Sequence, residues 1–230
     1  MNLPQPLFPG RLLRRYKRFF ADVELDDGSL ITAHTPNTGS MQQCAVAGYE
    51  VLLSLSDNPK RKLPYTLELI RVNRYWVDTN TQRANRVVEE GLRGNVVPGL
   101  SGFDVYPEFR FGGSRLDFML ESAESKVLLE VKNVTLLDPA GRASFPDAVT
   151  TRGQKHLREL VTATAQGWRS VIFFLVQRGE AQSFAPADQI DPEYGQLLRQ
   201  AIGCGVEAIA MRTKVSEQEV TLDCCIPVEV

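Results

Sequence analysis

Two apolar runs, "SRLDFML" (114–120) and "KVLLEVK" (126–132), are separated by only five residues and carry charges where buried strands normally carry Val, Leu and Phe. No other feature constrains the fold as tightly. A hairpin turning at Ala123-Glu124 puts Ser122 opposite Ser125, so that facing residue numbers sum to 247. Glu130 then lies opposite Asp117, and Lys132 opposite Arg115. Side chains alternate along a strand. Leu116, Phe118 and Leu120 therefore share one face with Val127, Leu129 and Val131, while Arg115, Asp117, Glu130 and Lys132 cluster on the other. Facing Cβ atoms lie roughly 4.5–5.5 Å apart, and like charges at that range are destabilising. Three arrangements relieve the repulsion: a divalent cation chelated by both carboxylates, a shared proton, or diagonal pairing of Asp117 with Lys132 and Arg115 with Glu130. A turn one residue away would destroy the facing arrangement altogether.

The residues before and after position 80 follow different patterns. In 1–80, β-branched, aromatic and alternating residues mark strands at 15–25, 29–35, 49–56, 65–73 and 75–79, separated by "DDGS", "TPNTGS" and "SDNPKRKLP". Five short strands suit a small closed barrel of OB or SH3-like type. From 81 the order is helix (81–93), strands (104–111, 115–121, 126–132), helix (151–166), strand (170–176), helix (193–202), strand (206–212). The wholly apolar "SVIFFLV" (170–176) requires a sheet covered on both faces.

Several function classes are excluded or disfavoured. Net charge is −2, so any nucleic-acid surface is a local patch; residues 1–80 hold ten Lys/Arg against eight Asp/Glu, and 81–230 hold sixteen against twenty. No apolar run approaches the ~20 residues of a transmembrane helix, and the start, "MNLPQPLFPG", lacks signal-peptide regions. Cys44, Cys204, Cys224 and Cys225 lack CxxC spacing, which points to reduced thiols in a cytoplasmic protein rather than zinc or disulfides. There is neither a P-loop nor a GxGxxG after a strand.

The words "RYKRFFADV", "PNTGSM", "SDNPKRK", "ANRVVEEGL", "SRLDFML", "LLEVKNVTL" and "FPDAVTTRGQKHLREL", in this order, resemble the sugar fermentation stimulation protein family over nearly the whole chain. Within them, the Asp…Glu-x-Lys pattern resembles the PD-(D/E)xK nuclease superfamily, although "GGSRLD" replaces a literal Pro-Asp. The resemblance implies an α+β chain: an N-terminal five-stranded OB-like β-barrel (1–80) that binds DNA, then a restriction-endonuclease-like mixed-sheet αβα domain (81–230). It also implies a regulatory role in sugar use. By motif, Asp117 and Glu130 become metal-binding acids for Mg²⁺ or Mn²⁺, with the Val131 carbonyl nearby, and Lys132 becomes the strand lysine. Gln154 would support the site, and Glu90, deeper in its matching word than Glu89, would be the upstream helix acid.

Each assignment has a plainer alternative. Glu90 reads equally as a solvated charge, and "TRGQ" as a capping box from Thr151 to Gln154. His34 and His156, far apart and without a nucleophile motif, read as structural. In the barrel, Arg14, Arg15, Lys17 and Arg18 and then Lys60, Arg61 and Lys62 supply cations, and Tyr16, Phe20, Tyr65 and Tyr75 supply stacking surfaces of the kind that grip single strands. They read otherwise as solvated charge and core. In "TPNTGSM" (35–41), Asn37 and Gly39 suit unusual backbone angles. The leading expectation is a DNA-binding protein, with DNA favoured over RNA, that carries a metal-dependent nuclease-type site. The rival is a binding module whose site is idle, and a sugar-metabolite sensor has only the family's name behind it.

Overall fold

The computed structural model describes residues 1–37 and 39–230. The N-terminal part holds β1 (Leu7–Tyr16), β2 (Phe20–Leu25), β3 (Leu30–His34), β4 (Glu50–Leu55), β5 (Tyr65–Val72) and β6 (Tyr75–Asp78). These pair in the order β3-β2-β1-β4-β5-β6, and a β3–β5 contact at His34 and Thr66 closes β1 to β5 into a barrel. The expected single strand at 15–25 is instead a hairpin. Lys17 and Arg18 both take left-handed backbone angles (φ 47° and 65°), turning the chain between Tyr16 and Phe20. Its first arm, β1, starts at Leu7; Pro9 and Gly10 hid that start. Gly10 is required there, because a Cβ would meet Glu24 O at 2.7 Å.

The second part holds α1 (Thr81–Arg93), β7 (Asp104–Phe111), β8 (Ser114–Glu121), β9 (Lys126–Val134), β10 (Leu136–Leu137), β11 (Arg142–Phe145) and α2 (Thr151–Ala165), followed by β12 (Arg169–Val176), β13 (Ser183–Pro186), α3 (Pro192–Gly203), β14 (Glu207–Val215) and β15 (Val220–Ile226). The main sheet runs β15-β14-β12-β9-β8-β7. β12 is parallel to both β9 and β14, and the other neighbours are antiparallel. Alternation along β12 explains the apolar run. Val171, Phe173 and Leu175 enter a core beneath α1, and Ile172, Phe174 and Val176 enter a second core beneath α2 and α3. No helix among the described residues is long and apolar enough to cross a membrane.

Barrel and sheet share the α1-side core, which includes Leu52 and Leu69 from the barrel. Their junction is ionic as well. Arg83 on α1 reaches Asp78 (2.5 Å) and Glu68 of the barrel, and Glu68 also accepts from Ser54 Oγ (2.6 Å) and Asn80 Nδ2 (3.1 Å). All three charged groups are buried. Desolvation pushes the Asp78 carboxyl up to about 7, against the pull of Arg83.

Arg83→Met removes the shared cation and leaves two buried carboxylates, so it should cost about 3–5 kcal/mol. A carboxyl raised in the fold is tolerated in acid and loses stability for the protein as pH climbs from the ordinary carboxylate range through the raised value. Denaturant titrations should therefore show a larger loss at pH 8 than at pH 5, and an equal loss would show that the two acids do not depend on Arg83.

Candidate functional site

The β8–β9 hairpin turns at Ala123-Glu124, with Ser122 N donating to Ser125 O (2.9 Å). Pairing runs from Glu121↔Lys126 to Phe118↔Leu129, each summing to 247, and stops there. Beyond it, side chains replace the ladder. Val131 N donates to Asp117 Oδ2 (2.7 Å), and Asp117 N donates to Glu130 Oε2 (3.3 Å). The two carboxylates are thus brought together by prising the strands apart.

The phase of β8 slips at the same point. Phe118 and Leu120 face the α1-side core and Met119 the other, but Leu116 also lies in the α2-side core. β7 changes face with it, Val105 lying in the α1-side core and Phe109 and Phe111 against the other, while its register with β8 holds; Glu108, opposite Asp117, takes a left-handed φ of 59° that costs on the order of 1–2 kcal/mol. The expected division into one apolar and one charged face is therefore wrong, because a sheet covered on both sides needs apolar residues on both. Arg115 does not join the cluster. It is exposed and pairs with Glu108 (3.1 Å), so the diagonal pairing is not formed.

Lys132 Nζ donates to Glu130 Oε1 at 2.6 Å, as its place two residues along the same strand allows. The same oxygen meets His156 Nδ1 from α2, and Lys132 Nζ lies 3.3 Å from that nitrogen. His156 Nε2 accepts from Arg152 Nε (3.4 Å), one turn back on α2. With Nε2 accepting from Arg152, Nδ1 is the nitrogen placed to donate to Glu130. Reading His156 as merely structural missed its contact with Glu130; the i, i+4 spacing of Arg152 and His156 on a helix covering the sheet was the available signal.

Burial divides the cluster. Glu130 and Lys132 are 3% and 9% exposed, and Asp117 is half-buried above them. Desolvation first, and then the neighbouring Glu130, raise the Asp117 carboxyl. Desolvation pushes Glu130 up as well, but Lys132 and His156 outweigh it and hold that carboxyl below its usual range. Asp117 Oδ1 accepts from Asn85 Nδ2 (2.7 Å).

Asn85, not Glu90, is the α1 residue at the site. Glu90 lies five residues on, about 140° around the helix at 3.6 residues per turn. It is exposed and paired with the Met1 ammonium (2.5 Å). Glu89 lies nearer Asn85's stripe but is held by Arg93 (2.8 Å). Gln154 also points elsewhere. The N-cap of α2 is Thr150 rather than Thr151, so no capping box forms, and the Gln154 amide donates to Asp191 (3.0 and 3.2 Å). Asp191 accepts from Thr150 N and Tyr194 N, so Gln154 braces the starts of α2 and α3. Val131 sits in the parallel ladder opposite Phe173.

The barrel cations are split in the same way. Arg15 is spent on the backbone: its guanidinium donates to the carbonyls of Arg18, Asn37, Gly39 and Ser40 at 2.6 to 3.1 Å. Arg14 pairs with Asp22 (2.7 Å) and covers the Tyr16 ring. Arg61 is half-buried, bonded to Thr66 Oγ1 (2.8 Å) and 3.4 Å from His34 Nδ1. Lys17, Arg18, Lys60 and Lys62 are exposed. Left-handed angles at both Lys17 and Arg18 cost on the order of 1–2 kcal/mol each, in a turn that Asn or Gly would fill without strain. Of the expected stacking rings, Tyr16 and Phe20 lie against each other (5.4 Å, 18°) on the outer face. Tyr65 packs on Phe8, and Tyr75 lies under Arg74.

The loop at 35–41 joins the barrel to the site, though Thr38 lies outside the described residues. Among its described residues the unusual backbone angle falls at Met41 (φ 50°), not at Asn37 or Gly39; Asn37 Oδ1 instead accepts from Gly39 N. Pro36 O accepts from Thr81 Oγ1 (2.7 Å), one turn before Asn85. Ser40 Oγ and Met41 N donate to Asp147, just before α2 (both 3.2 Å).

Comparison with known proteins accounts for both halves of this architecture. Residues 13–78 match the model of the SfsA N-terminal OB domain, and 82–219 that of the sugar fermentation stimulation protein RE domain. A sugar fermentation stimulation protein homolog of Syntrophotalea carbinolica is 63% identical over 99% of both chains, and one of Geobacter sulfurreducens 54% identical over 99% of this chain and 98% of that one. The solved structure of Pyrococcus furiosus SfsA in complex with Ca²⁺ superposes with a TM-score of 0.90 at 27% identity, covering 100% of this chain and 98% of that one. This chain belongs to the sugar fermentation stimulation protein (SfsA) family.

Proposed function

We propose that this chain binds DNA and hydrolyses phosphodiesters at Asp117, Glu130 and Lys132 with the help of Mg²⁺ or Mn²⁺. The observation that carries this reading is the pair of carboxylates that replaces the ladder between β8 and β9, with the Lys132 ammonium group on Glu130 and Asp117 the more exposed of the two acids. Among the described residues, no three His, Cys, Asp or Glu side chains are grouped to hold a metal ion. Two carboxylates nevertheless suffice for Mg²⁺, which keeps several waters and takes further oxygens from substrate phosphate. The raised Asp117 carboxyl is an acid lacking a cation, and the Ca²⁺ complex of the Pyrococcus furiosus relative is consistent with a site for one.

Asp117 and Glu130 would hold the metal, which when bound supplies a Lewis acid for the phosphate and a more acidic water. Asn85 fixes the Asp117 carboxylate through Oδ1, and Val131 N fixes it through Oδ2. His156 keeps Glu130 oriented when Lys132 turns away, and Lys132 would then face the charge developing on the phosphorus-bound oxygens. Water oxygen joins phosphorus and gives up a proton, and the bond to the leaving sugar oxygen breaks as that oxygen takes up a proton from solvent. The four free thiols suit a reducing, cytoplasmic setting.

The rival reading, a DNA-binding regulator with an idle site, draws on the same cluster, because Lys132 and His156 already satisfy Glu130.

Mn²⁺ should raise the melting temperature of the native protein and of Lys132→Met, but not of Asp117→Asn or Glu130→Gln. Cleavage of a labelled oligonucleotide should fall at least about 100-fold in all three variants. A Mn²⁺ shift without turnover would favour the idle site, and native rates in Asp117→Asn would end the hydrolase reading. In the same assay Asn85→Ala should lower cleavage about tenfold and Glu90→Ala should leave it unchanged; the reverse order would restore Glu90 to the site.

A further inference from the structure

We propose that the cleft between the β1–β2 turn and the start of α2 is a subsite for an unpaired nucleotide, so that the chain takes single-stranded rather than duplex DNA. This rests on the DNA-binding reading and names its substrate class. The cleft has a volume of about 510 Å³ and is lined on the barrel side by Arg15, Arg18, Gly39 and Ser40, and on the other by residues 145–150, the Asp147 carboxylate among them. Arg15 is committed to backbone carbonyls and Asp147 to Ser40 and Met41, so Arg18 is the exposed cation at the cleft, and Ala148 and Val149 opposite it offer apolar surface to a base. Val149, 67% exposed at the rim, presents apolar surface to solvent.

The approach to the cleft has the same character. Across the outer barrel face run Arg14 over Tyr16 (4.9 Å), Tyr16 against Phe20, Phe20 paired across the sheet with His34, and His34 beside Arg61. The turn that carries Lys17 and Arg18 joins Tyr16 to Phe20 in the middle of this row. Cations held there in left-handed angles oppose the local preference for Asn or Gly, and such strain gathers at binding sites. Arg15 and Asp147 fix the loop that floors the cleft; a Cβ on Gly39 would lie 2.5 Å from Asp147 Oδ2. A duplex would present paired bases and could not place one in a cleft of this size. Thr150, at the edge of the cleft, caps α2, the helix that carries Arg152 and His156.

The test uses the full chain, a fluorescein-labelled oligothymidylate of about 16 nucleotides and a duplex of equal length. The single strand should bind at least tenfold tighter. Replacing Lys17→Asn together with Arg18→Gly should raise the melting temperature yet weaken oligothymidylate binding about tenfold, and should lower the slope of log K against log salt by about 1.4, at about 0.7 per lost phosphate contact. Duplex binding as tight as single-strand binding, or an unchanged affinity in the double variant, overturns this inference while leaving DNA binding in place. Failure of the native chain to bind either probe overturns the DNA-binding reading itself.

Discussion

Two carboxylates inserted where β8 and β9 would otherwise continue their ladder determine the shape of the site. Asp117 accepts the Val131 amide that a paired strand would use, and Glu130 accepts the Asp117 amide in return. The strands separate, the phase of β8 slips at Leu116, and β7 follows through the left-handed angle at Glu108. Two acids this close and this dry repel each other and resist ionisation, so the fold surrounds the deeper one with Lys132 and His156. Desolvation and then Glu130 raise the shallower one, against the Val131 amide, the Lys132 charge and the Asn85 amide.

The site lies against the barrel through two connections of different kinds. Arg83 ties α1 to Glu68 and Asp78 inside a shared core. The loop following β3 bridges the starts of both helices beside the site, bonded to Thr81 at one end and Asp147 at the other. Arg15 holds that loop by its carbonyls, so a cation that reads as a ligand for nucleic acid works instead as a brace. The cations on the neighbouring turn, Lys17 and Arg18, stay exposed.

Much of this was legible in the sequence where periodicity and turn chemistry agreed. "SAES" fixed the hairpin register because a two-residue turn leaves one pairing, and "SVIFFLV" required two cores because every residue in it is apolar. Other parts were illegible for physical reasons. Pro9 and Gly10 masked the start of β1, and a turn built from Lys17 and Arg18 carries no turn signal. Asn85 was overlooked because the superfamily pattern directs attention to acids, yet helix geometry puts Glu90 on the wrong side. Gln154 matched a motif and proved to serve Asp191, and His156 had no motif to announce it.

The most direct measurement is anomalous diffraction from crystals soaked in Mn²⁺. The account requires a manganese peak within bonding distance of both Asp117 and Glu130, with the Lys132 ammonium group swung away from Glu130 Oε1. A map with no peak there, and Lys132 still on Glu130 at saturating Mn²⁺, would contradict it.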